Sequence, residues 1–280
     1  MKQRAKSPAS EVLKMVENRL TLKRKISSGG IAFGSWAQMD SPEAVEMIGS
    51  AGFDFAVIDM EHGHFGLDSV PGMIRAADAF GISPVVRVME NSESLILKVL
   101  DMGAEGIVIP GVSTPDEARK AASAARYAPI GTRGACPTIR AAGHMPLDWG
   151  SYARKANEDI LLCLLVEGRQ GAENFEEIVK VEGVDAVMIG PFDLSVSLGV
   201  GGQTKHPLVI SKIEEMASTA GKHGVTLACN VFDFEPSDIR REASRWIGLG
   251  ARMIMLGGDK FFLMPALRRA IGAVKDIVKD

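Results

Sequence analysis

Leu161-Leu-Cys-Leu-Leu-Val166 runs into Glu167, and Val184-Asp-Ala-Val-Met-Ile189 runs through Gly190-Pro-Phe into Asp193. Each half is an apolar run of the length a fully buried parallel strand needs, and each ends in glycine-containing sequence with a carboxylate at or just past its carboxyl end. Between them, Ala172 to Val181 has helical spacing, with Phe175, Ile178 and Val179 on one face and Glu173, Glu176, Glu177 and Lys180 mostly on the other. The stretch predicts a βαβ unit. Its two strands point the same way, so both carboxylates leave at one end of one sheet, where ligands bind in open and closed α/β folds alike. Two acidic side chains at one mouth, with only Arg169 as a basic neighbour in sequence, suit a divalent cation held by oxygen. On spacing alone, capping of the helices that follow accounts for Glu167 and Asp193 equally well.

Outward from this unit the alternation is regular. Strands are predicted at Ile31–Gln38, Phe55–Asp59, Pro84–Val88 and Gly106–Pro110, with helices at Pro42–Ser50, Leu67–Phe80, Ser92–Met102 and Pro115–Tyr127. Ile130–Gly143 is an irregular, glycine-rich, basic stretch with Arg133 and Arg140, followed by a helix at Trp149–Asn157. Beyond the central unit come a helix at Leu208–Lys222, a strand at Val225–Val231, a helix at Ser237–Leu249, a strand at Arg252–Leu256 and a helix at Phe261–Val278. Eight such pairs predict a (β/α)₈ TIM barrel. Ser10–Lys25, with Val12, Leu13, Val16 and Leu20 at helical spacing, adds an N-terminal helix. One barrel domain over 1–280 is expected, with 1–30 as lead-in and 257–280 as a C-terminal helix.

A net charge of -3, with 24% charged residues, gives no electrostatic footing for nucleic acid or a membrane surface. No apolar run approaches the ~20 residues of a membrane span, and Met1-Lys-Gln-Arg is not followed by the apolar segment of a signal peptide, so a cytoplasmic location is expected. Cys136, Cys163 and Cys229 are far apart and form no Cys-x-x-Cys pattern, which argues against a disulfide framework or structural zinc.

The strand ends carry the chemistry. They are Trp36 and Gln38 after strand one, Asp59-Met-Glu61-His62 after two, Arg87 after three, Glu167 after five, Asp193 after six and Asn230 in seven. Histidine is the side chain suited to acid or base work near neutral pH, and His62 lies among carboxylates; a helix-capping or surface role is its plainer reading. Arg87 ends an apolar run, either as a structural arginine or as a fixed positive fork for a carboxylate or oxyanion. No serine or cysteine has a base partner at suggestive spacing, and Lys260 is the only lysine near a strand end, so covalent catalysis has weak support.

At these residues the chain resembles the HpcH/HpaI aldolase/citrate lyase family, metal-dependent class II aldolases acting on pyruvate and related 2-oxo acids. The resemblance runs from about Ile31 to Leu256. It rests on Phe53-Asp-Phe-Ala-Val-Ile-Asp-Met-Glu-His62, Pro84-Val-Val-Arg87, Val99-Leu-Asp-Met-Gly-Ala104, Arg126-Tyr127 with Gly131-Thr-Arg-Gly134, and Val181-Glu-Gly-Val-Asp185 leading into Ile189-Gly-Pro-Phe-Asp-Leu-Ser195. By position it implies Glu167 and Asp193 as metal ligands, His62 as base, Arg87 as the enolate-stabilising arginine and Asp101 as the carboxylate that raises the basicity of the histidine. It implies Mg²⁺ or Mn²⁺, with Co²⁺ or Zn²⁺ as further candidates, and a 2-oxo acid and an aldehyde as small-molecule partners. It also implies a homo-oligomer, trimer or hexamer, in which the last helix is exchanged between subunits.

Trp36, Arg87, Leu165 and Phe192 are the expected substrate-binding positions. Two of them depart from the family pattern, since Leu165 stands where a glutamine is usual and Phe192 where a small residue is usual. The expected reaction is cleavage of a 4-hydroxy-2-oxo acid to pyruvate or a relative plus an aldehyde. An acyl-coenzyme A lyase using Arg133 and Arg140, and a non-catalytic binder of 2-oxo acids, are the competing readings.

Overall fold

The computed structural model describes residues 20–278. Eight strands, β1 (Ala32–Ala37), β2 (Phe55–Asp59), β3 (Ser83–Arg87), β4 (Gly106–Ile109), β5 (Leu161–Val166), β6 (Ala186–Ile189), β7 (Thr226–Val231) and β8 (Ala251–Gly258), close in chain order into a parallel barrel. The (β/α)₈ expectation holds. The strands are short apolar runs because both faces are buried. Phe55, Val57, Val85, Val108, Cys163, Leu165, Met188, Met253 and Met255 fill the interior, and Ile58, Val86, Ile107, Leu164, Val187 and Ile254 meet the helices outside. Gly34 makes room for this interior, since a Cβ there would come within 2.2 Å of the Phe55 ring.

The helices are α1 (Leu22–Ser27), α2 (Pro42–Ser50), α3 (Val70–Ala79), α4 (Glu93–Asp101), α5 (Pro115–Ala124), α6 (Trp149–Asp159), α7 (Arg169–Glu173), α8 (Phe175–Val179), α9 (Pro191–Ser197), α10 (Pro207–Lys222), α11 (Pro236–Gly248) and α12 (Asp259–Gly272). α1 seals the end of the barrel where the strands begin. Its Leu22 and Ile26 join the interior cluster. Its basic face meets acids placed just before the strands: Lys23 pairs with Asp185 at 2.8 Å, Arg24 with Asp159 at 2.7 Å and Lys25 with Asp54 at 2.5 Å. With that end closed, the cleft available to a ligand lies at the other end.

Besides the last helix, expected over Phe261–Val278 and ending at Gly272, three details differ from the sequence reading. Most of the predicted Ser10–Lys25 helix lies outside the described residues, and within them a helix begins only at Leu22: Thr21 is extended and its Oγ1 accepts the Arg24 N–H. Ala172–Val181 is not one helix but the end of α7 and all of α8. They are divided at Asn174, whose side chain donates to Ser113 O at 2.9 Å. The third is α9, which the sequence reading did not predict; Gly190 precedes it and Pro191 opens it.

Candidate active site

Asp59 and Arg87 are the last residues of β2 and β3 and face each other in register. Arg87 Nε and Nη2 donate to the two oxygens of Asp59 at 2.8 and 2.7 Å, with the carboxylate fully buried. Asp59 also accepts from the Gln38 amide at 2.8 Å and from the backbone N–H groups of Glu61 and His62. Burial alone would raise its carboxyl, but the hydrogen bonds and charge of Arg87, helped by Gln38, outweigh that and hold it below the usual range. Trp36 lies under the guanidinium, its ring centroid 4.4 Å from Arg87 Cζ, and its indole N–H donates to Asn230 Oδ1 at 2.8 Å. Arg87 is thus clamped on one edge by Asp59 and on one face by Trp36, while it also lines the cleft.

Glu167 follows β5 directly and Asp193 sits in the first turn of α9. Neither caps a helix: Gly168 and Gly190 are the N-cap residues, and no side-chain cap bond forms at either start. The capping alternative is set aside. Gly190 brings the two acids together, because a Cβ there would stand 2.7 Å from Glu167 Cβ and 2.8 Å from its Oε2. Burial, then the charges of Asp193 and Glu61, push the Glu167 carboxyl up to about 7, against the pull of Arg87. Glu61 is raised as well, first by burial, and its Oε2 lies 2.9 Å from Arg87 Nη1 but off the N–H axis, leaving that buried oxygen without a hydrogen bond.

Three crowded carboxylates with a buried oxygen unsatisfied fit a divalent cation. Among the described residues no three His, Cys, Asp or Glu side chains form a complete metal cage. The donor set is therefore the open kind, in which one or two carboxylates hold the ion and water or substrate oxygens complete the shell.

His62, Arg87, Glu167, Asp193, Trp36, Leu165, Phe192 and Asn230 line one cleft of about 500 Å³ at the carboxyl ends of the strands. His62 is exposed, Leu165 is buried beneath the acids, and Phe192 is 61% exposed at the mouth. A larger crevice of about 590 Å³ lies between α5 and α8, but its cations are already paired: Arg119 with Asp116, Arg126 with Asp185, Lys180 with Glu176 and Glu177.

Asp101 is the one expected site residue that the fold does not bring here. It ends α4, the helix that runs from the Arg87 end of the barrel back to the start of β4, so it stands at the opposite end from His62. There it is the counter-ion of buried Arg133, at 2.8 Å. Arg140, on the same long loop, pairs with Asp78 and donates to Met102 O. Conversely, Asp59, Glu61 and Gly190 carry more of the site's geometry than their sequence positions suggest. The available signal was a charged residue closing each of two neighbouring buried strands.

A family model for HpcH/HpaI aldolase/citrate lyase matches residues 32–264. The 2-keto-3-deoxy-L-rhamnonate aldolase of Shigella sonnei is 33% identical over 90% of this chain and 92% of its own length. The hydroxypyruvate/pyruvate aldolase of Deinococcus radiodurans is 35% identical over 91% and 90%. The crystal structure of an HpcH/HpaI aldolase from Desulfitobacterium hafniense superposes with a TM-score of 0.85 at 29% identity, covering 92% of this chain and 97% of that one. Relatives of this identity and coverage are aldehyde-lyases, and the protein is an enzyme of that kind. With the barrel, the strand-end acids and the clamped arginine in view, the chain belongs to the HpcH/HpaI aldolase/citrate lyase family.

Proposed function

We propose that the protein is a divalent-metal-dependent class II aldolase that cleaves a 4-hydroxy-2-oxo acid to pyruvate or a close relative plus an aldehyde. The observation that carries this reading is the juxtaposition, in one cleft, of the Glu167–Asp193 acid pair with an arginine fixed by Asp59 and Trp36. Glu167 and Asp193 would hold the ion, Mg²⁺ or Mn²⁺ by the oxygen character of the donors. Held there, a divalent ion would supply Lewis acidity to a bound 2-oxo acid.

In the cleavage direction the bond between C3 and C4 breaks and its electron pair passes into the enolate of the 2-oxo acid. Arg87, at the wall of the cleft, meets the charge that grows on the keto oxygen, and Asp59 already holds its guanidinium in place. His62 takes the proton of the 4-hydroxyl as C4 becomes the aldehyde carbonyl. A proton returned to C3 completes pyruvate. Asp101 is left out of this relay within its own chain, since Arg133 holds it at the far end of the barrel.

An acyl-coenzyme A substrate is less well supported, because Arg133 and Arg140 are engaged in ion pairs away from the cleft. A binder without turnover is also disfavoured, because relatives covering about 90% of this chain are named as aldolases. We further propose a homo-oligomer. No side chain of α12 is buried, and its Phe262, Leu263, Met264, Leu267 and Ile271 are exposed.

The test is pyruvate release from 4-hydroxy-2-oxo acids, coupled to pyruvate reduction. Chelation with EDTA should abolish turnover and Mg²⁺ or Mn²⁺ should restore it, while Glu167→Gln and Asp193→Asn should weaken metal binding measured directly by calorimetry. Full activity in the chelated protein would overturn the assignment.

A further inference from the structure

Away from the acid pair the cleft changes character. Phe192 from the first turn of α9, Phe232 from the loop after β7 and Phe261 from the start of α12 line the same cleft as Glu167 and Asp193. Their rings are set in place by neighbours. Phe261 stacks on Phe234 at 4.1 Å with 7° between planes and meets Phe232 at 5.3 Å. Phe192 lies against Gly202, where a Cβ would come within 3.2 Å of the ring, and where φ of +78° disfavours any larger residue. Ser195 ties that turn together, its Oγ donating to Phe192 O at 2.6 Å and accepting the Gly202 N–H at 2.8 Å. Phe192 and Phe232 are 61% and 52% exposed. Large apolar rings held open to water at the entrance of a charged cleft, by three separate segments, form a surface that an apolar group would cover.

We infer that this rim is the acceptor subsite, and that the aldehyde partner carries an aromatic or aliphatic body rather than a chain of hydroxyls. The inference deepens the aldolase reading and rests on it. In the synthetic direction the methyl carbon of pyruvate loses a proton, forms the new bond to the aldehyde carbon, and the aldehyde oxygen takes up a proton. The rest of the aldehyde is unchanged, so the rim reads only its body. A hydroxylated body laid on phenyl faces leaves its hydroxyls unpaired, whereas an apolar one removes both surfaces from water. Thr204, Lys205 and Asp233 line the cleft too and are the groups a hydroxylated acceptor would use instead.

The experiment uses the full-length protein with Mg²⁺ and pyruvate, comparing kcat/KM for benzaldehyde and hexanal with that for glyceraldehyde and erythrose. Exchange of the pyruvate methyl protons in D₂O is followed separately, since it needs no aldehyde. The apolar aldehydes should win by about tenfold or more, the scale on which an apolar pocket discriminates. Phe192→Ala and Phe232→Ala should each cut that ratio at least threefold. Phe192→Ala removes an exposed ring, so a folded variant is secured even if Phe232→Ala proves unstable.

A ratio that favours glyceraldehyde overturns the inference, as does one that moves with Lys205→Ala but not with the phenylalanine variants. Variants that change the native mass while leaving the ratio unmoved also overturn it, and make the rim a contact between copies. Loss of methyl-proton exchange in the wild type would instead sink the aldolase reading itself and take the acceptor assignment with it.

Discussion

Asp59 is placed where a charge is costly, fully buried at the end of an apolar strand, and Arg87 across the register is what makes it tolerable. Asp59→Ala should therefore cost about 3–5 kcal/mol in denaturant unfolding, because it leaves a buried guanidinium without its partner. Arg87→Ala should lower kcat by about 100-fold or more if the guanidinium meets charge present only in the transition state. Unchanged kcat with altered stability would return Arg87 to a structural role. Because the Asp59 carboxyl is held low in the folded protein, its contribution is complete above its unfolded value of about 4 and drains away as the pH falls through the lower folded value. Asp59→Asn should flatten that part of the acid limb of a stability–pH curve. Gly190 belongs at this scale too. Gly190→Ala drives a methyl into Glu167, so calorimetry should find weaker Mg²⁺ binding with little change in fold, and an unchanged affinity would mean that Glu167 does not hold the ion.

The elements divide into those whose sequence announces them and those fixed by contacts from far along the chain. β2 and β5 were legible to the residue, because a strand buried on both faces must be an unbroken apolar run. α2 was legible too, with Ser41 as its cap and Pro42 at its first position. The Thr21 break, the Asn174 break and α9 were not legible, since each depends on a partner that periodicity does not reveal. The same holds within the site. Glu167, Asp193, Arg87 and His62 are strand-end residues and could be read from the alternation, whereas Asp101 could be excluded from its own chain's site only once α4 had a direction and an end. α1 offers a test of this scale. Leu22→Ala or Ile26→Ala opens the barrel's closed end and should cost about 2–5 kcal/mol, as for other large-to-small core changes. Lys23→Ala removes one partly exposed ion pair and should cost about 1 kcal/mol or less. Equal losses in a denaturant series would mean that α1 is held by charge and not by the plug.

Across the whole molecule, α12 is the element that a single chain leaves unfinished. α10, the longest helix, buries Val209, Ile213, Met216, Ala217 and Ala220; α12 exposes Leu263, Met264, Leu267 and Ile271 and buries none of its side chains. Phe262 and Leu263 of α12, with Met39, Ala44, Met47, Ile48 and Phe53, line an apolar groove of about 410 Å³ between α12 and the outside of β1 and α2. Under the proposed homo-oligomer, the exposed face of α12 and this adjoining groove form one apolar surface for a second copy to cover, and a stable contact of this kind buries about 800 Å² on each partner. Light scattering and sedimentation should therefore give a native mass that is a multiple of 29.9 kDa. Leu267→Glu combined with Ile271→Glu should shift that mass to the single chain, since a charge cannot be buried there without a partner. Because Phe261, in the first turn of α12, lines the cleft, dissociation should also alter the ratio of aldehydes accepted. A wild type that is monomeric at micromolar concentration, or a double variant of unchanged mass, would mean that α12 serves no assembly and that its apolar face has another occupant.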